Sequence, residues 1–374
     1  MLPYGRQSID AGDVEAVVAA LGSDWLTTGP RVARFEADIE AVAGAPAVTV
    51  TNGTTALHAA YAAAGVGPGD EVITTPMTFV ATASGAAMLG AKVIFADIEE
   101  DTANLDPVAV EAVAGPRTRV ITAVDYAGVP ADYDRLRKIT DGAGAILIAD
   151  AAHSIGSTYR GRPVGTLADL TTFSFFPTKN LTTGEGGAVV STRPELVQRL
   201  RDFRTVGSVR DPQRLRRTDE GGWYYEVQEF GLNYRLPDVL CALGSAQLRR
   251  LDDFKARRAH LTARYDESLA DVPGLRPPAG RPDVDPMRHL YPVRILDGRR
   301  REVYDRLRAA GVGVQVNYIP VYWHPVFEDL GYRRGMCPVA EAFYAEELSL
   351  PLFYDLSDSD QDRVVDTLRG ILGS

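Results

Sequence analysis

Between residues 46 and 190 short apolar runs recur, with helix-forming segments between several of them. The runs are AVTV (47–50), EVITT (71–75), KVIFAD (92–97), RVITAVD (119–125), AILIAD (145–150), TTFSF (171–175) and GAVVS (187–191). Most are apolar throughout rather than alternating, as strands covered on both faces should be. Ala-rich TALHAAYAAAG (55–65) and ATASGAAMLG (81–90) have helical character. This strand–helix rhythm predicts an α/β fold with a mainly parallel sheet and helices on both faces. In such a sheet, ligands bind outside the carboxyl ends of the strands. The residues just after those strands therefore carry most of the functional information.

Beyond residue 245 the pattern changes. A charged helix, AQLRRLDDFKARRAHLTARYDESL, leads to a Pro/Gly-rich link, GLRPPAGRPDVDP (274–286). Then come a strand-like YPVRIL, a helix around REVYDRLRAAG, a strand GVQVNYI (313–319) and a C-terminal helix. Two domains are expected: a large one over residues 1–245 and a smaller C-terminal α/β domain over 246–374. With 374 residues, 45% of them hydrophobic, the chain has ample material for both. The net charge of -10 and the lack of a basic run argue against nucleic acid as a partner. The polar start and the absence of any eighteen-residue apolar run argue against a signal peptide and a membrane span. Cys241 and Cys337 are far apart and lack CxxC spacing, which disfavours a disulfide framework or a metal site and fits a reducing cytoplasm.

Three strand ends stand out. Thr51-Asn52-Gly53-Thr54-Thr55 follows a strand and opens a helix. Free N–H groups and hydroxyls there suit a phosphate, or simply cap the helix. Asp150 closes the apolar run AILIAD. A carboxylate at such a place needs a partner, either a protonated ring nitrogen or the start of the next helix. His153 lies three residues on and is either structural or part of the same site. The third strand end bears on the lysines. Of forty basic residues only four are lysine: Lys92, Lys138, Lys179 and Lys255. Lys138 and Lys255 sit on charged helices, and Lys92 opens a strand. Lys179 alone falls between an apolar strand and a glycine-rich segment, with Ser174 five residues before it. Burial favours the neutral amine, which is the nucleophile toward an aldehyde. A phosphate cup, a strand-end carboxylate and a buried amine are together the parts that hold pyridoxal 5'-phosphate.

The motifs also resemble a known family. WLTTGPRVARFE (25–36), TNGTTALHAA (51–60), GDEVITTPMTFVATA (69–83), GAKVIFADIEEDTANLD (90–106), ADAAHSIGS (149–157), SFFPTKNLTTGEGG (174–187) and GLNYRLPDVLCALGSAQL (231–248) are similar to the DegT–StrS sugar aminotransferases almost end to end. The resemblance implies the type I pyridoxal-phosphate-dependent aminotransferase fold and a homodimer whose active sites are shared between subunits. By position it makes Lys179 the cofactor-linked lysine and Asp150 the partner of the ring nitrogen. Phe79 takes the stacking position, and Gly53, Thr54, Thr55 and Ser174 the phosphate cup. Asn233 matches the residue that reaches the phosphate from the neighbouring subunit. His153 stands where many members have Gln, near the cofactor's phenolic oxygen.

The implied reaction moves the amino group of L-glutamate to a keto sugar on a nucleotide. TAVDYAG (122–128), RHLYPV (288–293), VQVNYIPVYWHP (314–325) and AEELSLPLF (345–353) look like the pseudaminic acid branch, which aminates C4 of a UDP-linked 4-keto-6-deoxy-N-acetyl hexose. His289, Tyr318 and Tyr322 are then candidates to lie near the sugar or nucleotide, or else pack structurally. A TDP-keto-deoxysugar is the alternative substrate. A sugar dehydratase on the same scaffold is disfavoured by Lys179, because that group carries histidine there. A non-catalytic regulatory homologue is disfavoured because lysine, aspartate and phosphate turn are all retained.

Overall fold

The computed structural model describes residues 1–217 and 219–373. The apolar runs form one seven-stranded sheet. Its strands are β1 (Ala47–Val50), β2 (Glu71–Thr74), β3 (Lys92–Phe95), β4 (Thr118–Val124), β5 (Ile146–Asp150), β6 (Leu170–Ser174) and β7 (Gly187–Val190), in the spatial order β1-β7-β6-β5-β4-β2-β3. The ladders β6–β5–β4–β2–β3 are parallel, and β7 runs antiparallel to both β1 and β6.

The continuous apolarity of the strands has the cause expected of it. Alternate residues of a strand point to opposite faces, and both faces are covered. Val48, Val72, Val120, Ile148 and Val189 enter one core cluster. Ala47, Ile73, Ile121, Leu147 and Ala188 enter another on the other face. The helix α1 (Gly53–Ala63) follows β1 and packs its Ala-rich surface into the first cluster. The helix α2 (Ala81–Ala87) follows β2, and Ala81, Ala83 and Ala86 enter the same cluster. Small side chains let both helices approach the sheet closely.

Beyond the large sheet the predicted charged helix is two helices, α3 (Asp238–Leu248) and α4 (Leu251–Leu269). A second, antiparallel sheet of β8 (Leu275–Arg276), β9 (Tyr291–Ile295) and β10 (Glu347–Leu350) has its own core with α4 and the C-terminal helix α5 (Asp358–Leu372). Leu261, Tyr265, Val293, Leu348, Val364 and Leu368 meet there. Leu290, Val321, Tyr322, Phe327 and Phe343 instead join the core of the large sheet, so the later chain packs on both. Cys241 and Cys337 are buried and free. No helix among the described residues is long and apolar enough to cross a membrane.

One predicted element is absent. Residues 313–319 read as a strand but make only an isolated bridge, Gln315 to Ser349. Side chains have taken the place of a neighbouring strand. The backbone N–H of Asn317 donates to Glu347 Oε2 at 2.6 Å, and its carbonyl accepts from the Tyr126 hydroxyl. A segment whose amide and carbonyl are satisfied in this way does not need a ladder. It is free to lay Gln315, Val316, Asn317 and Tyr318 along a cavity.

Candidate active site

The carboxyl ends of β4, β5 and β6 open into a cavity of about 650 Å³. Asp150, the last residue of β5, and Ser174, the last of β6, both reach it. Thr172 and Asp150 are register partners, so the parallel pairing fixes which strand-end residues share the cavity floor.

Asp150 is 5% exposed and has no ion-pair partner among the described residues. Thr82 Oγ1 donates to its Oδ2 at 2.7 Å, and the Ala152 N–H reaches Oδ1 at 3.3 Å. Thr82 spends its only hydroxyl proton on the carboxylate, so the contact with Thr78 Oγ1 at 2.7 Å has Thr78 donating. Burial pushes the Asp150 carboxyl above its ordinary value, while the Thr82 hydrogen bond and the Lys179 charge hold it down. Such a group is short of one cation. Lys179 sits in the same cavity. Burial draws its ammonium down to about 8, and Asp150 pulls the other way. A lysine at that value carries a substantial neutral fraction near neutrality, which is what a nucleophilic amine requires.

Anion seating is built at the start of α1. Asn52 caps it: Oδ1 accepts from the Thr55 N–H at 2.9 Å, and Thr55 Oγ1 accepts from the Asn52 N–H at 3.0 Å. The free N–H groups of Gly53 and Thr54, with the helix dipole behind them, belong to residues that line the cavity. A Cβ on Gly53 would come within 2.8 Å of the Ser174 Cβ, so glycine there keeps the cup open. Phe79 stands at the cavity edge and is 58% exposed.

The third wall is imidazole and phenol. His153 and His289 lie ring on ring, 4.3 Å apart, and the Tyr318 hydroxyl is 3.1 Å from His153 Nε2. Both histidines are held well below their ordinary values, by burial first and then by nearby positive charge. Neither Nδ1 has a hydrogen-bond partner although both are buried. Asn180 Nδ2 fixes the backbone here by donating to the His153 carbonyl at 2.6 Å.

These features are matched by known proteins. The model of the DegT/DnrJ/EryC1/StrS aminotransferase family matches residues 7–369. The chain belongs to this family. It is 38% identical to the spore coat polysaccharide biosynthesis protein SpsC of Bacillus subtilis, over 99% of this chain and 97% of SpsC. It is 37% identical to the Campylobacter jejuni UDP-4-amino-4,6-dideoxy-N-acetyl-beta-L-altrosamine transaminase, over 100% of this chain and 98% of that one. Among solved structures, Helicobacter pylori PseC, an aminotransferase of pseudaminic acid biosynthesis, superposes with a TM-score of 0.93 at 29% identity, covering 100% of this chain and 99% of PseC. Spr1654 of Streptococcus pneumoniae, a candidate sugar aminotransferase known in PLP and PMP forms, also superposes at 0.93, with 29% identity for its PLP form, over 100% of this chain and 98% of that one. The fold is therefore the type I aminotransferase fold, and the cofactor is pyridoxal phosphate.

The residues of this DegT family member fit that cofactor on their own evidence. An unpaired buried carboxylate suits a protonated ring nitrogen, an open helix N-terminus suits a phosphate, and a desolvated lysine shares their cavity. Of the residues singled out from sequence, Gly53, Thr54, Phe79, Asp150, His153, Ser174, Lys179, His289 and Tyr318 line one cavity. Three do not. Thr55 has its hydroxyl committed to the cap, where it also donates to the Asn52 carbonyl at 2.9 Å. Tyr322 was a substrate candidate, but it is fully buried against Phe95 and donates to Glu341 Oε1 at 2.6 Å. The apolar contacts of the core and the Glu341 acceptor hold it away from the cavity. Asn233 is exposed and pairs with Thr205. Sequence reasoning missed Thr78, Thr82, Tyr4 and Asn317. The two threonines had a signal, their four-residue spacing after a strand. Tyr4 and Asn317 had none, because their importance lies in contacts across the whole chain.

Proposed function

We propose that this aminotransferase moves the amino group of L-glutamate to C4 of a UDP-linked 4-keto-6-deoxy-N-acetyl hexose. One observation carries the reading: Lys179, Asp150 and the α1 N-terminus converge on one cavity. Pyridoxal phosphate, when bound, supplies an aldehyde that exchanges amines and a ring that takes up an electron pair. Asp150 would keep a proton on the ring nitrogen. The α1 N-terminus, Thr54 and Ser174 would hold the phosphate, and Phe79 would pack on the ring. Lys179 Nζ would hold the aldehyde and, as the desolvated amine of the cavity, would move a proton to and from the substrate carbon. His153 lies beside Lys179 as a neutral ring and suits hydrogen bonding more than ion pairing.

The named activity of the Campylobacter jejuni relative supports a UDP-linked amino sugar. In this reading the enzyme is a homodimer with two shared sites. Exposed apolar residues support it, notably Trp25, Phe79, Trp223 and Phe230, the last 99% exposed. Asn233, absent from its own cavity, then serves the partner's phosphate. Residues 1–245 form the cofactor domain and 246–374 the smaller domain, and the free buried cysteines suit the reducing cytoplasm.

The test has two parts. The purified protein with pyridoxal phosphate absorbs in the visible, the band is absent in Lys179→Ala, and glutamate alone bleaches it. A screen of UDP- and TDP-linked keto sugars against the bleached enzyme, read by mass spectrometry and NMR, identifies the product. A band insensitive to glutamate, or turnover confined to TDP sugars, overturns the donor or the nucleotide assignment.

A further inference from the structure

We propose that Asn317 contacts substrate, its carboxamide nitrogen donating to a carboxylate oxygen of the amino-group donor. The inference rests on the aminotransferase reading above. It begins with the segment that failed to become a strand. Three of the polar groups of Asn317 are taken by other residues. Its N–H goes to Glu347, its carbonyl accepts from Tyr126, and its Oδ1 accepts from the Tyr4 hydroxyl at 3.2 Å. The holders are themselves anchored. Glu347 is fully buried and its second oxygen accepts from Ser349 Oγ at 2.5 Å; Tyr126 is 1% exposed. With Oδ1 fixed on the Tyr4 phenol, Nδ2 is turned to the Tyr318 phenol, which takes one of its two protons and leaves the other in the cavity wall.

The charge of the cavity says what the remaining proton is for. The described lining residues include Lys179, Asp150 and Glu185, two histidines held neutral, and no arginine. Lys179 is committed to the cofactor. On this chain's side of the cavity an anionic donor meets neutral hydrogen-bond donors, and an amide N–H on a carboxylate makes a charge-assisted bond. Asn317 is also deep, at 8% exposure. A small dicarboxylate is short enough to lie within a cavity of about 650 Å³, where this amide is. An amide anchored on three sides loses little freedom on binding, which favours affinity.

The experiment compares the holoenzyme with Asn317→Ala and Asn317→Asp. Asn317→Asp is the closer in shape and keeps an oxygen for Tyr4. Both keep the visible band if they fold. Three quantities are measured: bleaching by glutamate, recovery of colour when the amine-loaded enzyme meets keto sugar, and calorimetric binding of 2-oxoglutarate to the coloured form. The expected result is a rise of about tenfold or more in the glutamate KM and the 2-oxoglutarate Kd, larger for Asp than for Ala. The bleaching rate at saturating glutamate and the sugar KM stay within about threefold. An unchanged glutamate KM and 2-oxoglutarate Kd in both variants overturns the proposal, and so does a rise confined to the sugar. If wild-type enzyme is not bleached by glutamate at all, it is the donor reading that fails; bleached wild type with indifferent variants sinks the Asn317 assignment alone.

Discussion

Asp150→Asn separates the two jobs a buried carboxylate can have. In the chain by itself Asp150 is a charge with two hydrogen bonds and no cation partner, raised by burial. Asparagine keeps an acceptor for Thr82 and removes the charge. The cofactor-free variant is therefore expected to unfold at the same temperature as wild type or higher. With pyridoxal phosphate bound the sign reverses, because the carboxylate is then half of a buried pair with the ring nitrogen. Removing one partner of such a pair costs about 3–5 kcal/mol. If that cost falls on the transition state, kcat drops by about 10²- to 10⁴-fold. The assay is thermal unfolding with and without cofactor, together with single-turnover bleaching by glutamate. Cofactor still binds through Lys179 and the phosphate cup, so loss of colour is not the expected cause. Bleaching within about tenfold of wild type would refute the pairing of Asp150 with the ring nitrogen.

Three further outcomes follow from the same geometry. Attachment of pyridoxal phosphate to the cofactor-free protein should quicken with rising pH through about 8 and then level off, because the Lys179 ammonium is drawn down to about 8 and only the neutral amine attacks; continued acceleration to pH 10 would mean that the lysine is not desolvated. Gly53→Ala should weaken cofactor binding about tenfold, since its methyl meets the Ser174 Cβ at 2.8 Å and overpacking costs about 1–3 kcal/mol; unchanged affinity by fluorescence titration would show that the cup tolerates the side chain. Glu347 is raised to about 8 by burial, so the folded protein holds a proton there that the unfolded chain has already released. Its contribution to stability is present at low pH and is lost as pH rises toward 8, whereas Glu347→Gln lacks that loss. Denaturant midpoints should therefore favour the variant more at pH 9 than at pH 5, and parallel pH profiles would contradict the burial argument.

Much of the site was legible because the sheet is local in sequence terms. Each strand of the parallel ladder is a short apolar run, and its last residue is fixed by where the run stops. Asp150 and Ser174 end their strands, and Lys179 follows five residues later, so their convergence is a consequence of parallel pairing. The lysine could be chosen because there were only three rivals. The second half was less legible. The predicted strand 313–319 had the right composition, but Glu347, Tyr126 and Tyr4 satisfy Asn317 in place of a strand neighbour. Tyr322 sits four residues beyond Tyr318, yet one lines the cavity and the other is sealed in the core.

The sequence by itself determined the sheet and which residues stand at the ends of its strands, because apolar periodicity and residue type are properties of short stretches. Only the tertiary structure decided which polar groups are already satisfied. That is why Thr55 Oγ1 is spent on the helix cap, why Thr82 enters as the support of Asp150, and why Asn317 Oδ1 is held by Tyr4. Hydrogen-bond satisfaction depends on partners dozens or hundreds of residues away, Tyr4 and Asn317 lying 313 residues apart, and no local pattern encodes it.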